Sequence, residues 1–66
     1  MRDEILEFID AYIEEHGYSP NLREIGEAVG ITSTSHVSYW INKLVAEGKL
    51  TKVPNISRSV RMVKDE

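Results

Sequence analysis

Between Gly30 and Gly48 the chain sets a hydroxyl-rich run, Thr32-Ser33-Thr34-Ser35, directly ahead of His36, Ser38, Tyr39 and Trp40. These side chains donate and accept hydrogen bonds. They stand beside no cysteine, no nucleophile motif and no catalytic dyad, so the chemistry on offer is recognition, not bond making. Small polar residues at the start of a helix can cap its free N–H groups. The same helix end can instead hold a phosphate, through those N–H groups and the helix dipole. His36 and Tyr39 are three apart and project from similar faces of a helix. Val37, Ile41 and Leu44 define a different face. Ser35 or His36 can therefore meet base edges, and Tyr39 a phosphate or a sugar, unless this is simply a solvated helix surface. Trp40 borders the core face and is expected to be half-buried, its indole N–H reaching solvent or a phosphate.

Cations support the same reading. Up to Gly30 the chain carries eight acids against Arg2 and Arg23, a net of −6. From Ile31 onward Lys43, Lys49, Lys52, Arg58, Arg61 and Lys64 stand against Glu47, Asp65 and Glu66, a net of +3. The overall charge of −3 thus divides into an acidic back and a basic front. Local potential, not net charge, governs contact with a polyanion.

Three helices and a hairpin must position these groups. Ile5, Leu6, Phe8, Ile9, Tyr12 and Ile13 recur at helical spacing and predict a first helix from about Asp3 to Glu15, closed by His16-Gly17. Pro20 keeps Ser19 out of a helix. Asn21-Leu22-Arg23-Glu24 has the spacing of a capping box. The second helix should bury Leu22, Ile25, Ala28 and Val29, with Gly30 stopping it and Ile31 covering its end. The third should run from Ser33 or Thr34 to Glu47, its core face being Val37, Ile41, Leu44 and Val45. Leu50–Val53 and Ser59–Val63 alternate as two antiparallel strands joined through Pro54-Asn55-Ile56-Ser57. Val60 and Met62 share one face of that hairpin. Lys64-Asp65-Glu66 is expected to be a frayed tail. The fold class is α+β, mostly α: one domain over residues 1–66, three helices with a C-terminal two-stranded β-hairpin.

The rest of the composition excludes other classes. With 66 residues and no cysteine, the chain has a small core and neither disulfides nor thiolate metal sites. The charged start, Met1-Arg2-Asp3-Glu4, and the lack of a long apolar run speak against a secretory signal or a membrane span. A cytoplasmic location is expected. His16 and His36 sit on separate elements without an acid cluster, which argues against a metal site. No catalytic residue, cofactor, metal or small-molecule ligand is expected.

Tyr18-Ser19-Pro20, Arg23-Glu24-Ile25-Gly26-Glu27-Ala28-Val29-Gly30, Ser33-Thr34-Ser35, Val37 and the Leu44…Glu47-Gly48 helix end resemble the N-terminal winged helix-turn-helix domain of LexA-type SOS repressors. The resemblance runs from about Ile5 through the hairpin. It implies a sequence-specific, double-stranded DNA-binding transcriptional regulator of bacterial or phage type, a repressor, whose third helix enters the major groove. By position it implicates Ser33, Ser35, His36, Ser38 and Tyr39 in DNA contact. Lys52 and Arg58 of the wing are placed near the phosphate backbone. Full-length members carry a C-terminal domain for self-cleavage and dimerisation, with a serine–lysine pair. The present sequence stops after the wing, so self-cleavage is not expected of it, and any homodimer should be weak or DNA-induced. Tyr39-Trp40 is bulkier than the residues expected at that point of the third helix. Net acidity and this aromatic pair also fit an alternative, a winged-helix protein-interaction module such as an anti-repressor or accessory subunit.

Overall fold

The element order follows from where each local signal starts and stops. The computed structural model describes residues 1–63, and the expected frayed tail lies outside the described residues. Helix α1 spans Arg2–His16, with Asp3 and Glu4 in its first turn where the dipole favours acids. Gly17 closes it at φ 79°, its amide donating to the Ile13 carbonyl at 2.8 Å. Ile5 and Ile9 are fully buried, flanked by Leu6, Phe8 and Ile13, while Glu7, Asp10, Glu14 and Glu15 face solvent.

Helix α2, Leu22–Val29, begins with both halves of the expected capping box. Asn21 Oδ1 accepts from the Glu24 amide at 2.8 Å, and Glu24 Oε1 accepts from the Asn21 amide at 2.9 Å. Its buried face differs from the expected one at two positions. Ala28 is exposed, and Gly26 is buried with Ile25. At about 100° per residue, Ala28 sits roughly 90° from the centre of the Leu22–Ile25–Val29 stripe. Gly26 lies nearer to it, roughly 70° away, on the side that meets Ile31 and Val37.

Helix α3, Thr34–Ala46, buries Val37, Ile41 and Leu44. It ends one residue before Glu47, and Gly48 at φ 81° turns the chain into the sheet. Strands β1, Leu50–Thr51, and β2, Arg61–Met62, pair antiparallel, Leu50 opposite Met62 and Thr51 opposite Arg61. Both are shorter than the expected Leu50–Val53 and Ser59–Val63. The Val53 amide, which a longer ladder would need, donates instead to Ser59 Oγ at 3.1 Å. The Ser59 hydroxyl proton is shared between the carbonyls of Ile56 (2.8 Å) and Val53 (3.0 Å). A side chain thus shapes the wing tip where ladder pairing was expected. The alternation itself holds: Val60 is buried and Met62 half-buried, while Arg61 and Val63 face out.

One core joins all these elements: Ile5 and Ile9 of α1, Ile25 of α2, Ile31 of the turn, Val37, Ile41 and Leu44 of α3, Leu50 and Val60 of the wing. This is a winged helix-turn-helix. Among the described residues no helix is long and apolar enough to cross a membrane.

Candidate nucleic-acid interface

The start of α3 is presented by a close approach of backbone to backbone. Gly26 is interior to α2, where glycine costs about 1 kcal/mol relative to alanine. A Cβ at this position would meet the Ile31 carbonyl oxygen at 2.5 Å and the Val37 side chain at 3.1 Å. Absence of a side chain lets the turn fold back on α2. The Ile31 amide then donates to the Gly26 carbonyl at 2.8 Å. Gly30, at φ 82°, makes the reversal.

From that turn α3 projects its first residues into solvent. Ser33 is the N-cap, its hydroxyl accepting from the His36 amide at 3.4 Å. Thr34, Ser35, His36 and Tyr39 are exposed and Ser38 is half-exposed. Helices α1 and α2 each carry acids in the first turn, whereas α3 carries none. The positive end of its dipole is left uncompensated by any first-turn side chain. The structure thus gathers Ser33, Ser35, His36, Ser38 and Tyr39 on one helix, clear of the core face. A shallow hollow of about 660 Å³ opens beside them, between α2 and the turn, with Arg23, Glu27, Thr32 and Ser33 on its walls.

Asn42 is exposed one turn beyond Ser38 and three residues after Tyr39, a neighbour the sequence reading passed over. Its signal was the i, i+3 and i, i+4 spacing already used for His36 and Tyr39. An asparagine on such a face can donate to and accept from the same adenine. Trp40 is half-buried against the core as expected. Its indole N–H takes another course: it donates to His36 Nε2 at 3.2 Å, not to solvent.

The two wing residues differ. Lys52 is half-buried and lines a small hollow of about 220 Å³ between the start of α2 and the wing. Among the described residues Lys43, Lys49, Lys52 and Arg61 pair with no carboxylate. Arg58 turns inward. Its Nη1 and Nη2 donate to the two oxygens of Glu24 at 2.9 and 3.2 Å. Nη1 also lies 3.2 Å from the Ser19 carbonyl and 3.3 Å from the Tyr12 hydroxyl, and the guanidinium carbon sits 5.1 Å from the Tyr18 ring centroid. Tyr12 in turn donates to Glu24 at 3.2 Å. The Asn21 amide first, and Arg58 second, hold the Glu24 carboxyl below the usual glutamate value. The Arg58 backbone adopts φ 56°, left-handed and uncommon for a residue with a side chain. The forked salt bridge offsets that conformation and fastens the wing to α1 and α2 together. Among the described residues no group of histidine or carboxylate side chains could hold a metal ion.

The sequence model of the LexA DNA binding domain matches residues 2–59. This chain belongs to that family. The LexA repressor of Mycobacteroides abscessus is 50% identical over 56 residues, 85% of this chain and 25% of that protein. The LexA repressor of Frankia alni is 46% identical over 59 residues, covering 89% of this chain and 23% of the repressor. For that of Clavibacter sepedonicus the identity is 44% over 61 residues, with coverage of 92% and 27%. The chain spans about a quarter of the length of these curated relatives. As a LexA DNA binding domain, it carries the helix-turn-helix in α2 and α3, with Ser33 capping the start of α3, and the wing after them.

Proposed function

We propose that this chain binds double-stranded DNA sequence-specifically and serves as the reading domain of a transcriptional repressor. The face of α3 lies in the major groove. Ser35, His36, Ser38 and Asn42 meet base edges, and Ser33 at the helix end and Tyr39 meet the backbone. Lys52 faces a phosphate from the wing. Arg58 contributes by holding the wing in place, its guanidinium being engaged by Glu24. The observation that supports the reading most directly is the first turn of α3: exposed, free of acids and rich in hydrogen-bonding groups. Membership in the family agrees with it.

A single small domain makes few contacts. With about four phosphates neutralised, the slope of log affinity against log salt is about −4. Specific binding then requires two copies on neighbouring half-sites about one helical turn apart, which makes the homodimer a product of DNA binding. Occupancy of a promoter excludes polymerase. The reading is tested by titration against random duplex DNA at low and moderate salt, followed by selection from a random pool. Salt-sensitive binding and a recovered pair of half-sites are expected. If no salt-sensitive binding occurs, the repressor reading fails and the protein-interaction module takes its place.

A further inference from the structure

Trp40 is not itself placed to read DNA, yet it acts on a residue that is. An indole N–H can only donate. Its partner, His36 Nε2 at 3.2 Å, must therefore accept and cannot carry a proton. In the neutral ring the proton then resides on Nδ1. The backbone of His36 is fixed as well, its amide donating to the Ser33 hydroxyl at 3.4 Å. The indole is held from two sides. It packs on the core cluster, and the Tyr39 ring meets it edge-on, centroids 5.6 Å apart at 77°. Lys43 in turn sits 6.0 Å from the Tyr39 centroid.

We propose that Trp40 is a positioning residue that locks His36 in the Nδ1–H tautomer, so that His36 offers DNA a donor and favours an acceptor edge at the facing position over the N4 or N6 amine of cytosine or adenine. The proposal rests on the reading of α3 as the DNA-contacting helix. In the major groove the acceptors are guanine N7 and O6, adenine N7 and thymine O4, whereas cytosine presents an N4 amine. A histidine free to exchange tautomers can offer either a donor or an acceptor from a given side of its ring. Locked, it offers one. The lock also fixes the ring's rotation, so the cost of ordering the side chain is met before DNA arrives.

The test has two arms. In the first, two-bond ¹⁵N–¹H correlation spectra of the free chain are recorded at mildly alkaline pH, where the two neutral tautomers are distinguished. The His36 signals are expected to show a protonated Nδ1 and a bare Nε2. In Trp40→Phe, which keeps a ring but loses the donor, they should move toward the Nε2–H form that a solvated imidazole prefers. A wild-type spectrum with Nε2 protonated overturns the lock, whatever the variant does. In the second arm, wild type, Trp40→Phe and His36→Ala are each selected on a random duplex pool. Trp40→Phe should lose about two- to tenfold preference at the same base pair that His36→Ala relaxes, as one ordinary hydrogen bond is worth. Equal weakening on all sequences, or an unchanged preference, overturns the positioning role. A wild-type chain that binds no DNA overturns the proposed function and the selecting role with it, while the ring-nitrogen spectrum still decides the tautomer.

Discussion

The two parts of this domain that would face DNA are held by opposite means. The recognition helix is set by apolar burial and a backbone contact. Val37, Ile41 and Leu44 are buried in the core, and Gly26 lets the turn close on α2. Its outer face, with Ser35, Tyr39 and Asn42, is consequently left exposed. The wing has two-residue strands, and only Leu50 and Val60 of it are buried. Its position depends on polar bonds, chiefly from Arg58 to Glu24 and around Ser59. The Arg58 guanidinium is thereby engaged within the domain. A region fixed by its core can keep its surface groups for a ligand. A region lacking a core must use those groups on itself. The reading helix should accordingly govern sequence choice, and the wing should contribute general affinity.

The largest effect should come from Gly26→Ala. In an exposed helix this change gains up to about 1 kcal/mol of helix propensity. Here the new methyl meets a backbone oxygen at 2.5 Å, and forcing atoms into a packed site costs about 1–3 kcal/mol or more. The loss should win. For a domain of this size each 1 kcal/mol moves the midpoint by about 4–8 °C. A drop of about 10 °C in thermal melting is expected, together with loss of all DNA binding. An unchanged Tm would show that the turn can move, and the contrast between a rigid helix and a tethered wing would lose its basis.

Next is the double change Ser35→Ala/His36→Ala. Both residues are exposed, so melting should be nearly unchanged. Sequence preference should relax at one or two base pairs, by about tenfold each, the range of a good base contact. Selection from a random pool measures this. A uniform loss over all sequences would place the reading surface elsewhere.

The wing variants separate two kinds of cation. Lys52→Ala should weaken binding on all sequences and reduce the salt slope by about one. Arg58→Ala should also weaken all sequences, but leave the slope unchanged, since the guanidinium is bound to Glu24. Faster hydrogen exchange at the Val53 and Ile56 amides should accompany it, because the wing tip loses its tie to α2. If Arg58→Ala reduces the slope by one instead, Arg58 is itself a phosphate contact and the wing keeps its cation after all.

The same contrast explains what the sequence could convey. The helices, the capping box at Asn21 and Glu24, and the exposed face of α3 rest on spacings of a few residues, and each appears as expected. The bond from Arg58 to Glu24 joins residues 34 apart, and no local period encodes it. Arg58 therefore read as one more surface cation. Gly26 resembled any helix glycine, because the atom it must avoid belongs to the next segment. The strands looked longer than they are because alternation continues through Val53 and Ser59, while the Ser59 hydroxyl diverts the Val53 amide. The indole bond to His36 has an i, i+4 spacing and was within reach of the same pattern that placed His36 on the surface.

The smallest effect concerns acid. The Glu24 carboxyl is held below its usual value, first by the Asn21 amide and then by Arg58. A group whose folded value is depressed contributes stability that is complete above its unfolded value and is lost as pH falls through the folded one. The wild-type wing should therefore stay fastened at neutral pH and loosen only below the usual carboxylate range. Glu24→Gln cannot titrate, so its wing should be looser at neutral pH and show less further change on acidification. Hydrogen exchange at the wing amides, followed from neutral pH downward in both proteins, would measure the difference between the two curves. α3 offers an internal control, since its first turn contains no carboxylate. If the first turn of α3 loosened together with the wing on acidification, and did so less in Glu24→Gln, the carboxylate would be holding both regions. The division between a core-set helix and a polar-tied wing would then be wrong.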